Sequence, residues 1–213
     1  MKIAMITSWD RECGIYSYTR PLVEQLRRQG HDVQVVCHQD ARLGESIHPV
    51  IDQANPAWFE AVDSEVAGIG PDVVHVQFEY GLYSYRRESP FPPFTAADSF
   101  GMNDLLFRWK TRGQPAVVTM HSDNSQRPDR IAFIQTMGQL PAVTLLHTEH
   151  AELPSGKFAI VPHVAPVAKG IRGDKARYGW QGKKVAGMIG YPDWYKRYER
   201  MVALWPRVLE QMK

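Results

Sequence analysis

Between Lys2 and Val161 the chain alternates short, nearly continuous apolar runs with longer segments of helical periodicity. The runs are Lys2–Ser8, Asp32–Cys37, Asp72–Gln77, Ala116–Met120, Val143–His147 and Phe158–Val161. Most are rich in Val and Ile and show no apolar–polar alternation, the pattern of parallel strands buried on both faces. Between the first two, Ile15, Tyr18, Thr19, Leu22, Val23 and Leu26 form one helical stripe. Arg27 and Arg28 suit the negative end of that helix, and Gly30 suits its C-terminal cap. Pro21 removes one backbone donor, so the helix is expected to start late or to kink. Further helices are expected over Ala57–Ala67, Asp104–Arg112 and Arg130–Met137. Strand and helix in alternation predict an α/β fold, a Rossmann-like doubly wound parallel sheet.

The pattern changes after Pro162. Residues 165–182 carry four glycines, a proline and many charges, which is linker composition. Lys184–Gly190 reads as a new apolar strand, followed by a helix from about Tyr195. Its apolar stripe runs through Tyr198, Met201, Val202, Trp205, Val208, Leu209 and Met212, with Pro206 expected to bend it. The expected organisation is a Rossmann-like domain over 1–164, a linker over 165–182 and a single strand–helix unit over 183–213. One such unit cannot build its own sheet. Either it docks on the first domain as a C-terminal helix, or it opens a second domain.

The 213 residues are 44% hydrophobic and 23% charged, enough to bury a core. With 25 Lys+Arg against 23 Asp+Glu, the formal net charge is +2, which argues against bulk nucleic-acid binding. No apolar run reaches the roughly 18 residues of a membrane span. The start, KIAMITS, lacks a secretory pattern, so a cytoplasmic protein is expected. Cys13 and Cys37 form no disulfide framework and lack metal-ligand spacing.

The first strand-to-helix turn, Trp9-Asp10-Arg11-Glu12-Cys13-Gly14, holds one glycine where a dinucleotide fold needs three. No Gly-Lys-Ser/Thr follows the strand either. Nicotinamide dehydrogenases, Rossmann-type epimerases and P-loop ATPases are therefore disfavoured. Gly14 still precedes a helix N-terminus, where backbone donors favour an anion, although a ligand-free turn glycine explains it equally well.

Four segments carry a resemblance: CGIYSYTRPLVEQLRRQGHDVQVV from Cys13, PDVVHVQFEYGLY from Pro71, PAVVTMHS from Pro115 and IVPH from Ile160. In order and spacing they resemble the N-terminal half of retaining glycosyltransferases of the GT-B fold, the family-4 type (glycosyl transferases group 1). The resemblance implies an active site in a cleft between two domains, with the acceptor mostly on the first and the nucleotide-sugar mostly on the second. It implies a nucleotide diphosphate sugar as co-substrate, no other cofactor and no essential metal. The acceptor would be a glycan, a lipid-linked or a small-molecule hydroxyl, and a lipid-linked one would bring peripheral contact with the inner face of a membrane. The donor domain would be the missing continuation of the chain or a separate subunit.

Several residues stand out as carriers of chemistry. His121 ends a buried-type strand in TMHS, at the carboxyl edge where open α/β sheets bind ligands. By resemblance it lies near the donor sugar and bonds a hydroxyl. Glu79 follows the strand VVHV, where it binds acceptor hydroxyls or acts as a base. Gln77 and Tyr80 share that edge, whereas His75 alternates inward and reads as core. Gly14, Lys196 and His163 are the expected donor-binding residues. Lys196 matches the family lysine in position, but Arg197 stands where a glycine usually follows, and Val164 replaces the glycine of the PHG motif. Tyr80, Tyr83, Arg86 and Arg87 are the expected acceptor contacts, on an aromatic-rich connection that reaches Trp109. Those rings alternatively pack the loop on the sheet. His147 and His150 suggest a metal pair, yet a strand through His147 points them apart and no third ligand is evident.

The family's paired glutamates, eight positions apart, have no counterpart in this chain. That absence keeps a second reading open: a non-catalytic glycan- or partner-binding module derived from a glycosyltransferase N-terminal domain.

Overall fold

The computed structural model describes residues 1–79, 82–83, 100–122, 128–147, 156–162, 176–183 and 198–211. The chain divides into two compact units, Met1–Pro166 and Val167–Lys213.

The first unit is built on a seven-stranded parallel sheet. Its elements in chain order are β1 (Lys2–Ile6), α1 (Gly14–Arg28), β2 (Asp32–His38), β3 (Ile47–Ile51), α2 (Trp58–Ile69), β4 (Val73–Phe78), α3 (Phe100–Thr111), β5 (Ala116–Met120), α4 (Pro128–Gln139), β6 (Val143–Leu146) and β7 (Phe158–Ile160). The strand order is β3-β2-β1-β4-β5-β6-β7, and every pairing is parallel. This is the Rossmann-like doubly wound sheet that the alternating pattern implies. The order reverses at β1, whose neighbours are β2 and β4.

Alternation along the strands feeds two cores. Ala4, Ile6, Val74, Val76 and Phe78 pack with Trp58, Val62 and Val66 of α2 and Leu105 and Trp109 of α3. Ile3, Met5, Val33 and Val35 face the other way and pack with Val23 of α1. Each of the buried Val, Ile, Leu, Met and Phe side chains contributes about 1.5–3 kcal/mol of transfer free energy.

Helix α1 starts at Gly14 and runs through Pro21, so the late start expected from that proline does not occur. Cys13 caps it, its Sγ accepting from the Tyr16 backbone N–H at 3.4 Å. The N–H that proline lacks would have bonded the carbonyl of Ser17, an exposed residue. The helix ends in a Schellman arrangement: His31 N–H donates to Leu26 O, Gly30 N–H donates to Arg27 O, and Gly30 takes φ +85°.

Strand β3 has no counterpart among the sequence-predicted strands. Its sequence IHPVI holds Pro49, which cannot donate to a ladder. The sheet accommodates it at the edge, pairing Cys37 with Pro49 and shifting register before His38 pairs with Ile51.

In the second unit the described residues form a 3-10 turn (Ala176–Tyr178) and helix α5 (Tyr198–Gln211). Tyr178 and Trp180 stack at 4.9 Å. Val202, Trp205 and Val208 of the expected apolar stripe are exposed, as is Leu204. The strand expected at Lys184–Gly190 lies outside the described residues. Among the described residues no helix is long and apolar enough to cross a membrane.

Candidate functional site

The carboxyl ends of β1, β4, β5 and β6 converge on one edge of the sheet, at the point where the strand order reverses. Four chain segments meet there: Thr7 to Gly14, Gln77 to Glu79, His121 with Ser122, and His147. The backbone N–H of His121 donates to the carbonyl of Phe78 at 3.0 Å, extending the β4–β5 ladder by one rung. That rung sets Glu79 and His121 at neighbouring strand ends. Ser122 Oγ donates to Glu79 Oε2 at 2.5 Å, a charge-assisted bond between those ends. Both residues are partly exposed.

His121 is held from below and from the side. Its Nε2 lies 2.9 Å from Oε1 of Gln77, which is fully buried. Gln77 Nε2 lies 3.2 Å from His75 Nε2 and 3.6 Å from the Met5 thioether. His75 Nε2 also meets Thr119 Oγ1 at 2.8 Å. A polar chain thus runs from Thr119 through His75 and Gln77 to His121, across β5 and β4. Burial pushes the His75 imidazole down to about 4, so it is neutral at pH 7. His75 matches its inward reading, but it serves a polar network rather than an apolar core, and part of its surface stays open.

Beside this chain stands a cluster of three rings. Tyr18 of α1 meets His121 edge-on at 4.9 Å and His147 at 5.3 Å, and the two imidazoles lie 5.1 Å apart. His147 Nδ1 donates to the carbonyl of Val161 at 3.0 Å. The Tyr18 hydroxyl's pKa is raised by burial, so the phenol is neutral. In the sequence Tyr18 is part of a helix stripe, and His147 lacks a metal-ligand pattern. Their contact with His121 joins three distant segments, and local spacing carries no trace of it. Ser122 is not among the site residues expected from the sequence; its place one residue past the mouth histidine is the signal that could have found it. Among the described residues no cluster of three metal-ligating side chains occurs.

On the first turn, Ser8 Oγ lies 3.3 Å from Cys13 Sγ, and Thr7 Oγ1 lies 3.1 Å from Thr19 Oγ1. Arg11 binds Asp40, and Arg42 lies 3.4 Å from Asp10, which ties this turn to the β2–β3 connection. Gly14 is the first residue of α1, is exposed, and has no positive φ. A Cβ built there meets nothing within 4 Å. Neither backbone geometry nor packing explains the glycine.

Tyr83 departs from its expected role as an acceptor contact. It is fully buried, stacked on Phe78 at 5.8 Å, and its hydroxyl donates to the carbonyls of Ile6 and Gln77. A ring so placed locks the chain after β4 onto the ends of β1 and β4, and it cannot face a ligand. His38 and Gln53 reinforce the lock through the Leu82 carbonyl. Tyr80, Arg86, Arg87, His163 and Lys196 lie outside the described residues, as does His150.

A cavity of about 700 Å³ opens at the opposite edge of the sheet, lined by Lys110, Gln114, Gln139 and Lys157 among others. It lies at the amino ends of β5 and β6, away from every residue of the candidate site.

No family model matches the chain, and no curated protein matches it. Among solved structures it is similar to an alpha-glucosyltransferase in complex with UDP and a 13-mer DNA containing an HMU base. The identity is 15%, the TM-score 0.44, and the match covers 69% of this chain and 36% of that one. It is also similar to a Serratia marcescens short-chain dehydrogenase/reductase double mutant, at 14% identity and TM-score 0.41 over 68% of this chain and 76% of that one. The UDP-glucose 4-epimerase of Thermus thermophilus in complex with NAD aligns at 12% identity and TM-score 0.32, over 75% of this chain and 70% of that one. These likenesses say nothing of activity; the fold class rests on the sheet topology itself.

Proposed function

We propose that this chain is the acceptor-side half of a retaining glycosyltransferase, which moves a sugar from a nucleotide diphosphate sugar to a hydroxyl. The observation that carries the reading is the juxtaposition of Glu79 and His121 at adjacent strand ends, beside the N-terminus of α1, at the switch point of the sheet. The ordered motifs of the sequence support the reading by their resemblance to the family, and the geometry supports it by a site of fitting chemistry. Glu79, held by Ser122, accepts hydrogen bonds from acceptor hydroxyls. His121 bonds a hydroxyl of the donor sugar. The exposed N-terminus of α1 at Gly14 faces the donor diphosphate, where free backbone donors suit an anion. On the sequence resemblance, Lys196 and His163 join the donor site, and Tyr80, Arg86 and Arg87 join the acceptor site. The rest of the donor site comes from a second domain or a separate subunit, and the diphosphate charge is borne by basic side chains and helix N-termini.

The test uses the whole natural gene product. It is incubated with UDP-, GDP- and ADP-linked sugars and a panel of hydroxyl acceptors, and the anomeric configuration of the product is read by NMR. Transfer with the donor's configuration kept supports the proposal. Inverted product overturns the retaining part. Tight glycan or partner binding with no turnover of any donor favours the non-catalytic module instead.

A further inference from the structure

The polar chain beneath His121 has a direction. The Gln77 amide has an NH2 side that donates and a carbonyl side that accepts. Met5 Sδ, 3.6 Å from Gln77 Nε2, is an acceptor only. Turning the amide over would set the carbonyl oxygen against that sulfur. The second amide proton then faces His75 Nε2, 3.2 Å away, a nitrogen that also lies 2.8 Å from the Thr119 hydroxyl. For the amide to donate there, that nitrogen must carry the lone pair, so His75 holds its proton on Nδ1. With the NH2 side spent on Met5 and His75, Oε1 faces His121 Nε2 at 2.9 Å and needs a proton there.

We propose that Gln77 is a positioning residue that holds His121 in the Nε2–H tautomer, so that Nδ1 is the accepting nitrogen of the neutral ring. A ligand hydroxyl engaging that ring at Nδ1 must therefore donate to it. The buried amide, the thioether and the neutral His75 together act as a one-way template. Complete burial of Gln77 keeps water from competing for Oε1. The inference deepens the proposed role of His121 and rests on that role only in naming the ligand as a hydroxyl. The tautomer itself is independent of any activity.

The experiment is long-range ¹H–¹⁵N correlation NMR of the chain labelled at histidine nitrogen, with His121 assigned from the His121→Asn spectrum. Among the described residues the titratable groups near the ring are Tyr18 from α1, Glu79 at the end of β4 and His147 at the end of β6, so spectra are taken across a pH series and read where His121 is neutral. The expected result is a pyrrole-like Nε2 and a pyridine-like Nδ1 for His121, with the reverse pattern for His75. In Gln77→Leu the His121 signals are expected to move toward a mixture of tautomers, while Gln77→Glu, which keeps an acceptor in place, is expected to restore the single form. A wild-type His121 that is protonated on Nδ1 or already mixed overturns the proposal, even where Gln77→Leu fails to fold. A folded Gln77→Leu with unchanged His121 shifts overturns it as well. Neither readout needs a nucleotide-sugar, so failure here is distinguishable from failure of the glycosyltransferase reading.

Discussion

Ser122 donates its hydroxyl proton to the Glu79 carboxylate at 2.5 Å, across the gap between the ends of β5 and β4. The bond orients an ionised group at the mouth of the sheet, and it ties that group to the segment bearing His121. Ser122→Ala removes the tie without removing the charge. Loss of a charge-assisted hydrogen bond of about 1.5–3 kcal/mol corresponds to a roughly 10- to 150-fold fall in kcat/KM. Because Ser122 is partly exposed, the melting temperature is expected to change little. Steady-state kinetics of the whole enzyme with its acceptor varied would check this. An unchanged kcat/KM would place Glu79 outside the site.

Tyr83 makes the opposite kind of contribution. Its hydroxyl donates to the carbonyls of Ile6 and Gln77 at 3.1 and 2.8 Å, in a site closed to water. Tyr83→Phe keeps the stacking on Phe78 but strips a partner from both carbonyls. The expected cost is about 1–3 kcal/mol in urea unfolding. Ligand affinity is expected to survive, since the ring is not part of the site surface. A stable Tyr83→Phe with weakened ligand binding would reverse that assignment.

Stability is expected to fall on both sides of neutrality, for two identifiable reasons. His75 is pushed down from 6.5 to about 4, so the unfolded chain binds a proton that the folded chain refuses. Stability therefore rises with pH between about 4 and 6.5, by at most ~3 kcal/mol from this group. Burial pushes the Cys37 thiol up from 9.0 to about 12, so the unfolded chain loses a proton that the folded chain keeps. That contribution is lost as pH rises from about 9 to 12. Urea midpoints across pH for His75→Gln and Cys37→Ala check each arm. Each variant is expected to flatten its own side of the curve. A wild-type acid slope retained in His75→Gln would assign it to other groups.

Gly14 separates packing from ligand approach. A Cβ there meets no atom and no left-handed backbone is needed. Gly14→Ala is expected to leave the fold intact or to raise stability by up to ~1 kcal/mol, since alanine favours the helix. If a diphosphate approaches the α1 N-terminus, the added methyl stands in its path, and donor affinity is expected to fall about tenfold, roughly 1.4 kcal/mol. Calorimetric titration of the whole protein with nucleoside diphosphate measures it. Unchanged affinity would leave Gly14 a ligand-free turn residue.

Much of the sheet was legible because parallel strands buried on both faces need continuous apolar runs. β5 is found at Ala116–Met120, as the sequence places it, and β1, β2, β4, β6 and β7 lie within a few residues of their expected positions. β3 was hidden because an edge strand tolerates Pro49, and a proline inside a short run reads as a break. Pro21 does not delay the helix start, since one lost backbone bond at an exposed helix turn does not outweigh the packing of Tyr18, Thr19 and Val23. The mouth positions of Glu79 and His121 followed from strand ends alone. Tyr83 did not, because the sign of an aromatic side chain, ligand-facing or core-facing, depends on two carbonyls from β1 and β4. The Tyr18–His121–His147 cluster was equally unreadable: its members come from α1 and from just past β5 and β6, and only the folded sheet brings them together.

The central claim is that His121 serves chemistry and not folding. The most direct measurement compares wild type with His121→Ala in the whole natural gene product, reading sugar transfer and melting temperature side by side. The expected result is a loss of transfer of at least about 100-fold, the scale of one positioned catalytic contact, with the melting temperature nearly unchanged. Full transfer activity in His121→Ala, or a collapse of the fold that accounts for the lost activity, would contradict the account.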